Sequence, residues 1–214
     1  KKSLKENDAA EENGDDVMEI AAPSPALINV IPTFSRPVMP SQIAPIQLKG
    51  NFEKLITEIA DTQSKCFALF SIDEKYESKG TISKNQFPKT GTLVRLLHAK
   101  SIPGEVHFVC EGICRVEIEK WVKFGSELKA KIRYPENIMP EQGSEDELKL
   151  KAYAMNLVAL LQEILPLNPM YSEEMRQYLL RFDQNDPSML ADCAASITST
   201  TQSILQDILE TYDV

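Results

Sequence analysis

The periodicity of apolar residues changes once along this chain, at the polar, Pro- and Gly-containing stretch PENIMPEQGSED, residues 135–146. Upstream, short apolar runs rich in β-branched residues alternate with Pro, Gly and polar clusters, the pattern of a sheet made of short strands. Downstream, apolar residues recur at helical spacing. The change divides the chain into a β-rich unit at 27–134 and a helical domain at 145–214, an α+β class with a boundary at 135–146.

Within the β-rich unit, strands are predicted at 27–33, 43–48, 66–72, 91–99, 105–111, 113–122 and 127–134. A helix interrupts them at 51–63, where Phe52, Leu55, Ile56 and Ile59 share a face and Asn51 is a natural N-cap. SIPGEV at 101–106 reads as a tight turn between antiparallel strands. Pro32, Pro37, Pro40 and Pro45 lack backbone donors, so the segment 31–46 is expected at an edge or in a crossing connection. In the helical domain, helices are predicted at 146–165, at 172–182 with Ser172 as N-cap, at 187–197 opening Asp186-Pro187, and at 201–211. Four helices with short connections read as a small bundle. The C-terminal half of the first is apolar around most of its circumference and needs partners on two sides, another subunit being one candidate.

Residues 1–26 hold three Lys and seven acidic residues and almost no core-forming side chains; they read as a disordered acidic leader. The chain begins with Lys, as expected of a piece of something longer. Overall, 23 Lys plus Arg face 32 Asp plus Glu, a net charge of −9 that argues against a nucleic-acid or anionic-membrane binder. There is no run of eighteen apolar residues to span a bilayer.

Catalytic signatures are missing as well. The nearest two of the eight glycines, Gly104 and Gly112, are eight apart, which leaves no place for a phosphate loop or a nucleophile elbow. His98 and His107 are nine apart and cannot form the paired-histidine face of a zinc peptidase. Cys66, Cys110, Cys114 and Cys193 lie in apolar or strand-like contexts and read as reduced thiols. A zinc site from His107, Cys110 and Cys114 lacks a second paired set, and strand alternation would put His107 and Cys110 on opposite faces. No catalytic, cofactor or metal residue is assigned.

The stretch GTLVRLLHAKSIPGEVHFVCEGICR at 91–115 resembles the N-terminal domain of Lon-type ATP-dependent proteases. In that family a Gly-Thr strand carrying an Arg leads through a short turn to a strand ending Glu-Gly-x-x-Arg. The matching positions here are Gly91, Thr92, Arg95, Glu111, Gly112 and Arg115. LINVIPTFSRPVMPSQIAPIQL at 27–48 looks like the family's opening strands, NDPSMLADCAASI at 185–197 like its Asp-Pro helix with Leu-Ala-Asp, and QSILQDILETYDV at 202–214 like the helix preceding the ATPase module. Two features depart from the pattern: the loop reads Pro37-Val38-Met39-Pro40 instead of ending near Phe-Pro, and the 73–90 connection is Lys-rich.

The resemblance implies a PUA-like β-rich domain followed by helices, and a role in recognising unfolded or damaged protein substrates and supporting a homo-hexamer. It implies a cytoplasmic bacterial or mitochondrial-matrix setting; that no nucleic acid or membrane is contacted through this region is expected from the acidity and the lack of a long apolar run. Catalysis, ATP and magnesium would belong to ATPase and Ser-Lys peptidase modules absent from these 214 residues. The alternative is a stand-alone Lon-domain adaptor or ligand receptor; an RNA-binding module is disfavoured by acidity.

Read physically, Gly112 marks a turn or bulge that needs a residue without Cβ, and Glu111 and Arg115 are expected to pair across it. Trp121, the only tryptophan, is expected over the sheet edge or the 135–146 junction. Candidate contacts for unfolded protein are Phe34, Val38, Met39 and Ile43, apolar residues beside prolines that a Pro-rich connection buries poorly.

Overall fold

The structure, a computed structural model, describes residues 27–50, 52–79, 82–167 and 187–214. The acidic leader, Asn51 and the helix expected at 172–182 lie outside the described residues.

Six strands form one sheet: β1 (Leu27–Thr33), β2 (Ile43–Lys49), β3 (Cys66–Ser71), β4 (Thr90–Ile102), β5 (Glu105–Phe124) and β6 (Leu128–Arg133). Their order is β2-β5-β4-β3-β1-β6, and β6 pairs again with β5. Strands β5, β4, β3, β1 and β6 therefore close into a barrel, and β2 extends it as an edge strand on β5. All pairings are antiparallel except β1 with β3. The 101–106 turn is a two-residue hairpin loop, Pro103-Gly104, with Ile102 facing Glu105 and Gly104 at φ +86°. Proline first and a positive-φ glycine second is the type II pattern.

The strands expected at 105–111 and 113–122 are one strand of 20 residues. Its first part serves β2 and its last part β6. A bulge between the two parts keeps the strand continuous: Val94 faces Gly112 and Leu93 faces Cys114, so Ile113 is the extra residue. The bulge also switches faces. Val106, Phe108 and Cys110 point into a core shared with β2 and α1 (Glu53–Ala60), whereas Val116 points into a second core with Val30, Phe70 and Ile132. Alternate residues of β3 feed the two cores, Phe67 and Leu69 the first, Ala68 and Phe70 the second. Burial on both faces explains the unbroken apolar run CFALF. Pro45 lies on the edge strand as expected, and Pro32 lies where β1 has only β3 beside it.

Helix α2 (Glu145–Ile164) starts at Ser144, whose Oγ accepts from the Glu147 N–H at 3.1 Å, while the Glu147 carboxylate accepts from the Gly143 N–H. It packs on α3 (Pro187–Ile197) through Ala154, Leu161 and Leu190. Leu148, Tyr153, Met155 and Leu160 remain exposed. The expected bundle needs correction at its last member. Helix α4 (Gln202–Glu210), capped by the Thr201 side chain, lies on the barrel, with Leu205 and Leu209 packed against Met39 and Ala195. The closing residues stay attached: Ile138 bridges Asp213, donating its N–H to Tyr212 O at 2.7 Å.

Candidate functional site

The proline-rich crossing between β1 and β2 meets α3 and α4 at a groove of about 230 Å³. One wall is Pro37, Val38, Met39 and the start of β2 at Ala44, Pro45 and Ile46; the other is Ser196 and Leu205. Arg36, Gln42 and Ser35 supply its polar atoms.

Both walls are fixed. Thr92 Oγ1 donates to Val38 O at 2.5 Å, Met39 N–H donates to Gln42 Oε1 at 2.9 Å, and Gly112 N–H donates to Gln42 O at 2.8 Å. Opposite, Arg36 donates to Thr198 O at 2.6 Å, and the Gln202 amide reaches Ser35 O, Ser71 Oγ and Ile72 O at 3.1, 2.8 and 2.9 Å. Such bonds hold irregular backbone that has no ladder of its own.

Of the four residues predicted to contact substrate, Ile43 is half exposed (50%) and Phe34 half-buried, but Val38 and Met39 are core residues at 5% and 0%. The burial of Met39 corrects the expectation of a soft surface methionine. The loop is drawn inward by its bonds to Thr92 and Gly112, and α4 closes over the thioether. Pro45 in the groove wall and Ile43, two residues before it on β2, remain as exposed apolar surface.

Beside the groove runs a free strand edge. Gly50 N–H donates to Gly104 O, and Gly112 N–H to Gln42 O, so even-numbered residues of β2 face β5. In an antiparallel ladder the alternate residues then turn their backbone outward: Ile43, Pro45, Gln47 and Lys49. Among the described residues β2 has no second neighbour. An extended polypeptide could pair with the outward N–H groups of Ile43, Gln47 and Lys49, with Pro45 offering only its carbonyl, and seat a side chain in the groove, the geometry of strand addition.

The family-motif residues make contacts within the fold. A Cβ on Gly112 would stand 2.2 Å from Met39 O, and one on Gly91 2.5 Å from Leu69 O. Gly112 thus lies at a bulge but not in a turn, and its reason is the close approach of the 39–42 loop. Glu111 pairs with Arg95 at 3.7 Å, not with Arg115. Arg115 reaches Asp192 instead, with Nη1 and Nη2 each donating at 2.6 Å, and its Nε donates to Leu209 O at 3.0 Å. Trp121 stacks edge-to-face with Phe87 and Phe124, closing one end of the second core rather than the 135–146 junction. Sequence reading missed the buried carboxylate Glu117, which accepts from Arg133 and from Tyr212 OH at 2.6 Å and lies 3.6 Å from Lys89.

Burial pushes Cys110 up to about 12 and Cys114 and Cys193 to about 11, so these thiols stay protonated. His107 turns outward to Glu105 at 3.1 Å while Cys110 points into the core, which separates the zinc candidates. Among the described residues no group of His, Cys, Asp or Glu is placed to hold a metal ion.

A family model for the substrate-binding domain of ATP-dependent protease La (Lon) matches residues 28–214. Lon protease 2 of Hydrogenovibrio crunogenus is 34% identical over 193 residues, covering 89% of this chain and 21% of the relative. The Lon protease of Protochlamydia amoebophila is 30% identical over 216 residues, 99% of this chain and 24% of the relative. The chain thus spans about a fifth to a quarter of the length of these relatives. The N-terminal domain of a Mycobacterium avium complex Lon protease has the same fold, with a TM-score of 0.62 at 20% identity over 88% of this chain and 91% of that one. On the match over 28–214, the chain belongs to the family of Lon substrate-binding domains.

Proposed function

We propose that this region captures extended, partly apolar segments of unfolded or damaged proteins for an ATP-dependent protease. The observation that carries the reading is the groove at the Pro-rich crossing lying beside the unpaired edge of β2. A folded protein has few free strands to offer such an edge, whereas an unfolded chain supplies backbone partners and side chains together. The closed barrel with its edge strand supports the PUA-like description. The family relationship supports placing ATP, magnesium and peptide cleavage in other modules of a longer chain. Exposed Leu148, Tyr153, Met155 and Leu160 on α2 support self-association, the hexamer implied by the family resemblance. The bacterial Lon relatives favour a cytoplasmic bacterial setting, and the net charge of −9 favours protein partners over nucleic acid.

The test is Ile43→Asp combined with Gln47→Pro, which removes an outward backbone donor of β2. Both side chains are exposed, so folding should survive. Binding of a reduced, carboxymethylated, permanently unfolded protein should fall about tenfold, the effect of losing roughly 1.4 kcal/mol of contact. Unchanged binding by a folded double variant would refute the site.

A further inference from the structure

The outer face of the β5–β6 ribbon carries an unusual arrangement of charge. Lys120 stands directly opposite Lys131, and Lys123 directly opposite Lys129. Like charges in opposed positions destabilise a sheet. Two bulges put them there: Glu119 and Val122 are the extra residues that let Lys120 and Lys123, three apart, share the outward side while Trp121 and Phe124 turn inward. Glu127 answers Lys123 and Lys129 at 3.0 and 3.2 Å. Lys120 and Lys131 are exposed and have no acidic group within 4.0 Å among the described residues. This cationic face belongs to a chain of net charge −9.

Leu27, the first residue of β1, pairs with Lys131, and Asn29 pairs with Lys129, so the chain enters the barrel on this face. Immediately upstream, residues 6–19 contain seven carboxylates (Glu6, Asp8, Glu11, Glu12, Asp15, Asp16 and Glu19) and no Lys or Arg. Seven residues, 20–26, join them to Leu27. That tether can span up to about 24 Å. The farthest of the four lysines is two strands across and two residues along from Leu27, roughly 12 Å away. We propose that residues 6–19 dock on Lys120, Lys123, Lys129 and Lys131, occupying the face in cis. Charge complementarity selects the occupant, and the short tether supplies an effective concentration in the millimolar range. Salt would release the docked segment.

The experiment uses the full chain and a variant in which the seven carboxylates become Asn or Gln. Each is acetylated at low ionic strength, and the rate at every lysine is read by mass spectrometry, with Lys54, 89% exposed on α1, as internal control. The four face lysines should react at least threefold more slowly in the native chain, Lys54 equally in both, and the difference should vanish in 0.5 M salt (about a 4 Å screening length). Zero-length carbodiimide coupling should join residues 6–19 to Lys120 or Lys131. Equal rates at all four lysines would overturn the proposal. So would protection that grows with protein concentration, which would put the segment on a second copy, or protection indifferent to salt.

Discussion

Arg115 on β5 holds Asp192 on α3 through two parallel hydrogen bonds of 2.6 Å, and the pair is nearly sealed, with side-chain exposures of 11% and 2%. The fork geometry suits a planar guanidinium and a carboxylate, and the Nε bond to Leu209 O brings the end of α4 under the same control. One side chain thus joins the barrel to both C-terminal helices that wall the groove.

Removing one partner should therefore be costly. Arg115→Ala leaves a buried carboxylate without its guanidinium and should destabilise by about 3–5 kcal/mol. Arg115→Lys should recover only part of this, because an ammonium cannot serve both carboxylate oxygens and Leu209 O together. Arg115→Met with Asp192→Leu should lie closer to the native chain than Arg115→Ala does. Urea denaturation of the four proteins decides it; equal stability of Arg115→Ala and the native chain would show that the pair is an ornament.

Gly112→Ala should be poorly tolerated for a steric reason. Its Cβ would meet the backbone carbonyl of Met39 at 2.2 Å, and that carbonyl belongs to a loop bonded on both sides. Displacing the loop should cost about 3 kcal/mol or more. Gly104→Ala is the control. It has open space around the new methyl group, and only its φ of +86° opposes it, so about 1 kcal/mol is expected. Thermal unfolding should rank the two clearly, and a reversed order would remove the close-approach explanation of the Glu-Gly motif.

The thiols offer a chemical check on the two cores. Cys110 and Cys114 are pushed up to about 12 and about 11 by burial, and Cys66, half exposed, is raised by burial with Arg95 acting against it. At pH 7.5, Cys110 should be alkylated at least a hundredfold more slowly than a free thiol, by about the loss of thiolate alone. Cys66 should react first. Mass-spectrometric mapping of iodoacetamide adducts reads the order, and early labelling of Cys110 would mean that the first core opens readily.

The strands and the helix periodicities were legible because each is written in neighbouring residues. The crossing 31–46, the hairpin at Pro103-Gly104 and the helix starting at Pro187 all announce themselves locally. Long-range choices were not legible. Arg115 and Asp192 each sit in a recognisable motif, yet they are 77 positions apart, and Glu111 lay nearer in sequence as a partner. Met39 reads as surface because prolines flank it; the bonds that draw its loop inward and the docking of α4, which no local pattern encodes, make it core. The bulge at Ile113 merged two expected strands because a single extra residue exchanges the two faces of a strand without ending it.

Tyr212 should report on the attachment of the closing segment through alkaline pH. Burial first, and the hydrogen bond donated to Glu117 second, push its phenol up to about 12 from the ordinary 10.0. With the native pKa raised, both states are protonated below pH 10 and stability from this group is fully present there. From about pH 10 to 12 the unfolded chain ionises first, so native stability falls as pH rises. Tyr212→Phe should cost about 1 kcal/mol at neutral pH, through the lost bonds to Glu117 and Thr90, and should flatten the decline across that window relative to the native chain. Absorbance at 295 nm, following tyrosinate formation, should show one late-titrating phenol in the native chain that is missing in the variant. If the one phenol missing from the variant's titration is instead an ordinary one titrating near pH 10, Tyr212 is free in solution and the closing segment is not held on the barrel.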